Sequence, residues 1–237
     1  MAERQVPEPS QLRDVLSGML VVDARGVRKT YEGGVRALRD VDLMIAKGEL
    51  LAVTGPSGSG KTTLLNCLSG LDEIDAGEIV IEGRSLARMN DNQRTDLRAR
   101  SIGFVFQAFN LLPMLTAEEN VELPLLIAGE SGRVSRRRAR EALARVGLDG
   151  LERRRPAELS GGEQQRVAIA RGIVHSPAVL FADEPTGALD SETSAQVMDL
   201  LVELNAEGQT IVLVTHNKDI AARAGRAVRM ADGRVVA

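Results

Sequence analysis

The sequence predicts an α/β domain with a mainly parallel sheet, an antiparallel β subdomain near its start and an inserted α-helical subdomain. Three observations predict it. The apolar run Leu50-Leu51-Ala52-Val53 meets a glycine loop that runs into the helical pattern Leu64-Leu65-Asn66-Cys67-Leu68, which is the order strand, loop, helix. After Ser160, short apolar runs alternate with helical stretches, and strands joined by crossover helices pair in parallel. From Gln107 to about Pro156 the pattern is helical without strands, an insertion in that core.

A chain of 237 residues suits one such domain with a small insert and leaves no room for a second independent one. A net charge of -3 provides no global basic field, so nucleic acid is not expected as a partner. The single cysteine, Cys67, excludes an internal disulfide and suits a small buried hydrophobe. No apolar run approaches the roughly 20 residues of a membrane-spanning helix. Glu3, Glu8 and Asp14 stand where a secretory signal would be basic and then apolar, so a cytosolic location is expected.

In chain order, residues 1–20 form an N-terminal extension in which Leu12, Val15, Leu16, Met19 and Leu20 follow helical spacing, and a short amphipathic helix is expected there. Val21 to Tyr31 and Val35 to Ile45 read as antiparallel strands around the turn Glu32-Gly33-Gly34, and Lys47-Gly48-Glu49 turns into the strand before the glycine loop. A further strand lies between Gly77 and Gly83, a charged helix over Asp91 to Arg100, and a buried strand over Ile102 to Phe106. In the insertion, Thr116-Ala117-Glu118-Glu119 is a capping box, and Ser135 is placed to cap a second helix ending near Gly147. Beyond it come a helix from Ser160, the strand Ala178 to Ala182, a helix from Ser191 to Ala206, the strand Thr210 to Thr215, a short helix near Lys218 to Ala224 and terminal strands around Val228 and Val235.

The glycine loop reads Gly55-Pro56-Ser57-Gly58-Ser59-Gly60-Lys61-Thr62-Thr63. It fits G-x-x-x-x-G-K-[ST], in which backbone N–H groups and a helix N-terminus cradle phosphates. Lys61 would reach the β- and γ-phosphates, and Thr62 would offer a hydroxyl to Mg²⁺ bridging them. The fold is accordingly expected to be a P-loop NTPase of RecA-like architecture. The apolar strand ending in Asp183 would deliver a carboxylate beside the metal, and Glu184 next to it is placed to polarise an attacking water as general base.

Leu159-Ser160-Gly161-Gly162-Glu163-Gln164-Gln165-Arg166, between this P-loop and Asp183-Glu184-Pro185-Thr186, resembles the signature motif of ATP-binding cassette (ABC) proteins. Ser160 and Glu163 form a capping box there, and the N–H groups of Gly161 and Gly162 suit an anionic phosphate. The resemblance covers about residues 21–237 and implies an ATPase with ATP and Mg²⁺. It implies a head-to-tail homodimer, in which Ser160, Gly161, Gly162 and Glu163 of one copy close over nucleotide held by the P-loop of the other. By the same resemblance Tyr31, the only tyrosine in a chain without tryptophan, stacks on adenine, and Gln107 touches Mg²⁺ or water as the Q-loop glutamine. Ala188, Leu189 and Asp190 form the D-loop, and His216 is the switch histidine at the γ-phosphate.

Within the family, Phe106 to Leu112 and Ala182 to Asp190 are similar to the LolD/MacB group, which includes FtsE. This implies a membrane permease of MacB/FtsX type, expected on a separate chain and holding the cassette on the inner face of the membrane. The alternative is an FtsE-like cassette that moves a membrane partner without translocating substrate. The clusters Arg136-Arg137-Arg138 and Arg153-Arg154-Arg155 read as solvated helix faces before lipid or acidic-partner sites. Met114 and Leu115 are the expected exposed part of the permease dock.

Overall fold

Strands buried on both faces read as continuous apolar runs, with successive side chains facing opposite layers. The computed structural model, which describes residues 18–236, has this arrangement at its centre. The antiparallel sheet contains β1 (Leu20–Tyr31), β2 (Val35–Ala46), β4 (Ala76–Ile81) and β5 (Arg84–Ser85), in the order β2-β1-β4-β5. The second sheet contains β3 (Leu50–Thr54), β6 (Ile102–Phe106), β7 (Val179–Asp183), β8 (Ile211–Val214), β9 (Arg226–Ala231) and β10 (Arg234–Val236). Its order is β10-β9-β3-β8-β7-β6, with only β10 antiparallel to its neighbour.

The helices are α1 (Lys61–Leu68), α2 (Asp91–Ser101), α3 (Ala117–Ile127), α4 (Gly132–Arg145), α5 (Gly161–Ile173), α6 (Ser191–Ala206) and α7 (Lys218–Ala221). Alternation along β7 and β8 divides the core. Leu180, Ala182, Ile211 and Leu213 face a cluster built with α3 to α6. Val179, Phe181, Val212 and Val214 face a cluster shared with α1 and the antiparallel sheet. Cys67 lies fully buried in the second cluster, where burial pushes its thiol up to about 12. That leaves an inert apolar group.

Several expectations are corrected. The helix expected within residues 1–20 falls outside the described residues up to residue 17, and Met19 and Leu20 are not helical. Met19 sits in a turn, while Leu20 opens β1 because its backbone pairs with Ala46. Helix α4 starts one turn earlier than expected, with Ser131 at its cap position. Ser135 is buried inside the helix, its hydroxyl donating to the Ser131 carbonyl at 3.1 Å. Arg136 pairs with Glu118 and Glu122, Arg137 with Glu141, and Arg138 with Glu130. The basic residues of α4 keep the solvated face expected of them, Arg136 and Arg137 being exposed, and pair there with carboxylates of the helical insertion.

Helix α5 approaches β6 so closely that a Cβ on Gly103 would lie 2.1 Å from the Gly172 carbonyl oxygen and 2.8 Å from a Leu180 methyl. Gly103→Ala is therefore expected to cost about 2–3 kcal/mol through overpacking, measured by urea denaturation against the parent.

Candidate functional site

Parallel pairing puts the carboxyl ends of four strands in one row: Val53 pairs with Val214, Val214 with Asp183, and Asp183 with Phe106. The next residue on β6, β7 and β8 leaves the sheet at the same edge, and crevices at such edges are where open α/β sheets bind ligands. This register brings Gln107, Asp183, Glu184 and His216 to the P-loop. Together with Tyr31, Ser57, Gly58, Gly60, Lys61, Thr62 and Thr63 they line an open cleft of about 1100 Å³.

Gly60 is the cap residue of α1, with φ 98° and no side-chain cap bond. A Cβ there would sit 2.4 Å from the Ala37 carbonyl oxygen, so only glycine fits. The first turn of α1 thus keeps its amides for another acceptor. The Lys61 ammonium is folded back over the loop, donating to the carbonyls of Gly55 at 2.9 Å and Pro56 at 2.8 Å. Gly55, Pro56 and Ser57 complete the loop, and buried Ser59 keeps a hydroxyl without a partner.

Asp183 is half-buried, and its Oδ1 has no partner. Burial raises its carboxyl above the usual carboxylate range, aided by the Glu184 charge and opposed by the Thr62 hydroxyl and Lys61. A desolvated, unsatisfied carboxylate oxygen beside a threonine hydroxyl and an open phosphate cradle suits a divalent cation with oxygen ligands. Glu184 has φ 47°, the left-handed region that non-glycine residues occupy under constraint. Its Oε1 accepts from the His216 backbone N–H at 3.0 Å and from His216 Nδ1–H at 2.7 Å, while Oε2 is buried without a partner. The Gln107 amide packs over Gly187, 2.8 Å from where a Cβ would stand.

The other predicted residues lie elsewhere. Ser160, Gly161, Gly162 and Glu163 start α5 with the expected capping box. None of them lines the cleft of the P-loop in the same copy. Leu189 packs 3.3 Å from where a Gly161 Cβ would be, Ala188 is exposed, and Asp190 caps α6 by accepting from Glu192 and Thr193. Those amide bonds, the Thr193 backbone first among them, lower the Asp190 carboxyl below its usual range. Tyr31 is partly exposed, and its hydroxyl donates to Asp72 at 2.6 Å.

Sequence reasoning missed the residues that hold the loop after Gln107. Phe109 and Asn110 both have positive φ, and the Arg171 guanidinium of α5 donates to both of their carbonyls. Asn120, fully buried, accepts from the Leu112 N–H at 2.8 Å and donates to the carbonyls of Leu112, Leu115 and Thr116. An asparagine on the otherwise apolar face of α3 was the available signal for it. Met114 is 75% exposed as expected, but Leu115 is half-buried because its backbone is tied to Leu112 and Asn120. Leu112, at 47% exposure, takes its place on the outer surface.

The profile of the ABC transporter family matches residues 38–187. The macrolide export ATP-binding/permease protein MacB 1/2 of Paracoccus denitrificans is 47% identical over 93% of this chain and 34% of its own length. An ABC transporter ATP-binding protein of Thermotoga maritima is 46% identical over 91% of this chain and 93% of its own. The chain spans about a third of the length of the ATP-binding/permease relatives that it matches. Among solved structures, the dimeric bacterial ABC transporter cassette MJ0796 superposes with a TM-score of 0.83 and 44% identity, over 91% of this chain and 97% of that one. MJ0796 has also been seen in a post-hydrolysis state bound to ADP and Pi.

Asn120→Leu leaves the Leu112 N–H and the Leu115 carbonyl unpaired and removes a second bond from the carbonyls of Leu112 and Thr116, which is expected to lower stability by about 2–3 kcal/mol. Hydrogen exchange should rise selectively over residues 107–116, and a uniform rise would assign Asn120 to the global core instead.

Proposed function

Because the chain belongs to the ABC transporter family, we propose that it is an ATPase subunit, two copies of which close head to tail around ATP to drive a membrane permease. The observation that carries this reading is the strand-end row that sets Asp183, Glu184 and His216 against the phosphate loop. The helix-start amides and Lys61 take the β- and γ-phosphates. Thr62 and Asp183, with Gln107 close by, would hold Mg²⁺, which when bound neutralises the charge of those phosphates.

Glu184 is the general base. His216 holds its Oε1 at 2.7 Å, and the Glu184 carboxylate so positioned lines the cleft in which it would take a proton from water. His216, with its side chain 71% exposed, stands at the rim where it meets the γ-phosphate once the site closes. Gly161 and Gly162 lie on another face of the same copy, so the signature completes the site of the partner. The D-loop, Ala188 to Asp190, touches the signature helix through Leu189 and carries that closure to Glu184 along the chain.

The permease docks between the core and the helical insertion. A groove of about 260 Å³ opens there, lined by Ala99, Phe104, Phe106 and Pro124, with Leu112 and Met114 exposed on the adjoining loop and helix-proximal surface. The rings of Phe104 and Phe106 stack at 5.4 Å. Apolar surface left open in this way suits a partner, here a permease of MacB/FtsX type. Among the described residues no helix is long and apolar enough to cross a membrane, and attachment to the inner face of the membrane through the permease follows from this docking.

Glu184→Gln is expected to bind ATP like the parent, lose turnover by about 10²-fold or more and accumulate as an ATP-bound dimer on gel filtration. Near-normal hydrolysis would remove Glu184 from its role. Leu112→Glu with Met114→Glu should keep the ATPase of the isolated cassette and abolish co-purification with the permease, since burying unpaired carboxylates is costly. Complex formation at the parent level would place the dock elsewhere.

A further inference from the structure

The nucleobase platform is braced from behind. Tyr31 ends β1 with its ring 40% exposed at the cleft. Its hydroxyl is not free to read a base edge, because it donates to Asp72 Oδ2 at 2.6 Å. The other carboxylate oxygen of Asp72 accepts from Lys29 Nζ at 2.6 Å. Lys29 also donates to the Glu73 carbonyl and lies 5.2 Å from the centre of the Tyr31 ring, covering one of its faces. The opposite face is left for stacking.

Asp72 belongs to the turn that follows α1. Its own N–H and that of Leu71 bond to the Asn66 carbonyl inside that helix. Two further bonds lock this turn against β1: Thr30 N–H to Asp75 at 2.6 Å, and Asp75 N–H to the Arg28 carbonyl at 2.9 Å. Helix α1 starts at the phosphate loop, so one rigid path runs from the phosphate cradle through α1 and Asp72 to the Tyr31 ring. Burial and the Asp72 carboxylate raise the Tyr31 phenol, which keeps it a donor. Burial pushes the Asp72 carboxyl up, but the hydrogen bonds from Lys29 and Tyr31 outweigh it and leave the group below its usual range. Hydrogen bonding to Asp72 raises the Lys29 ammonium against the opposing effect of burial.

We propose that Asp72, braced by Lys29, is a positioning residue for the nucleobase, fixing the Tyr31 ring at a set distance and tilt from the phosphate loop. The inference rests on reading the cleft as a nucleotide site. It assigns Asp72 and Lys29 to the base end of the ligand and gives them no part at the phosphates. A ligand with phosphates and no base separates the two ends.

The test is calorimetric titration of the whole chain with ATP and with inorganic tripolyphosphate, both in EDTA to prevent turnover. Asp72→Ala is expected to weaken ATP binding about fivefold, as for loss of a charge-assisted hydrogen bond that orients a contact group, and to change tripolyphosphate binding less than twofold. Tyr31→Phe, which keeps the ring and removes the tether, should weaken ATP binding to a similar extent. The double variant should add nothing further, because both changes break one interaction. Asp72→Asn, which keeps the shape and an acceptor for the tyrosine, should restore most of the affinity and guards against loss of fold in the alanine variant.

Unchanged ATP affinity in Asp72→Ala, equal weakening of both ligands, or additive effects in the double variant would each overturn the proposal. A parent protein that bound neither ligand would overturn the nucleotide reading itself.

Discussion

The parallel register of β3, β8, β7 and β6 is the constraint on which the site depends. Backbone hydrogen bonds hold Val53, Val214, Asp183 and Phe106 in one row, so the residues that follow them emerge side by side. A shift of one residue would turn every side chain of the strand to the other face. It would move Leu180 and Ala182 out of the helical layer and carry Asp183 away from Thr62. The burial of both sheet faces therefore protects the geometry of the site, since a slipped strand would lose its core contacts at the same time.

Strain and unsatisfied groups gather at the site. Glu184 adopts a left-handed backbone, and Asp183 Oδ1, Glu184 Oε2 and Ser59 Oγ are buried without partners. Such groups are costly in a closed interior and persist where the surroundings over-determine them. Here the Glu184 N–H is held by the Val214 carbonyl, and its side chain by His216. Asp183 and Glu184 line the cleft where the proposed triphosphate, its cation and a water would supply partners, while Ser59 lies behind the loop beside Gly55.

One tie between the helical insertion and the core is the loop after Gln107. Phe109 and Asn110 take positive φ immediately after the cleft residue Gln107, and their carbonyls are bound by Arg171 of the signature helix. Burial lowers the Arg171 guanidinium from its ordinary value, yet no proton is lost at neutral pH from a group so basic. The same loop carries the exposed Leu112 and Met114. Motion of α5 at its N-terminus thus has a mechanical link, by hydrogen bonds through Arg171, to the surface assigned to the permease.

The sequence by itself determined the order of strands and helices, the phosphate loop and the residue types at the strand ends. Those signals are local: Gly60 must adopt φ 98°, Thr116 and Ser160 close their capping boxes within four residues, and apolar alternation marks β7 and β8 as doubly buried. Only the tertiary structure decided which long-range partners meet. That Glu184 and His216 share a hydrogen bond follows from sheet register. That Tyr31 is tied to Asp72 follows from the turn after α1 folding back on β1. Cap choice also depended on packing, since α4 started at Ser131 and drew Ser135 into its buried face. Local spacing specifies what a segment can form, whereas contacts between residues separated by 30 or 40 positions depend on which surfaces the whole core leaves facing one another.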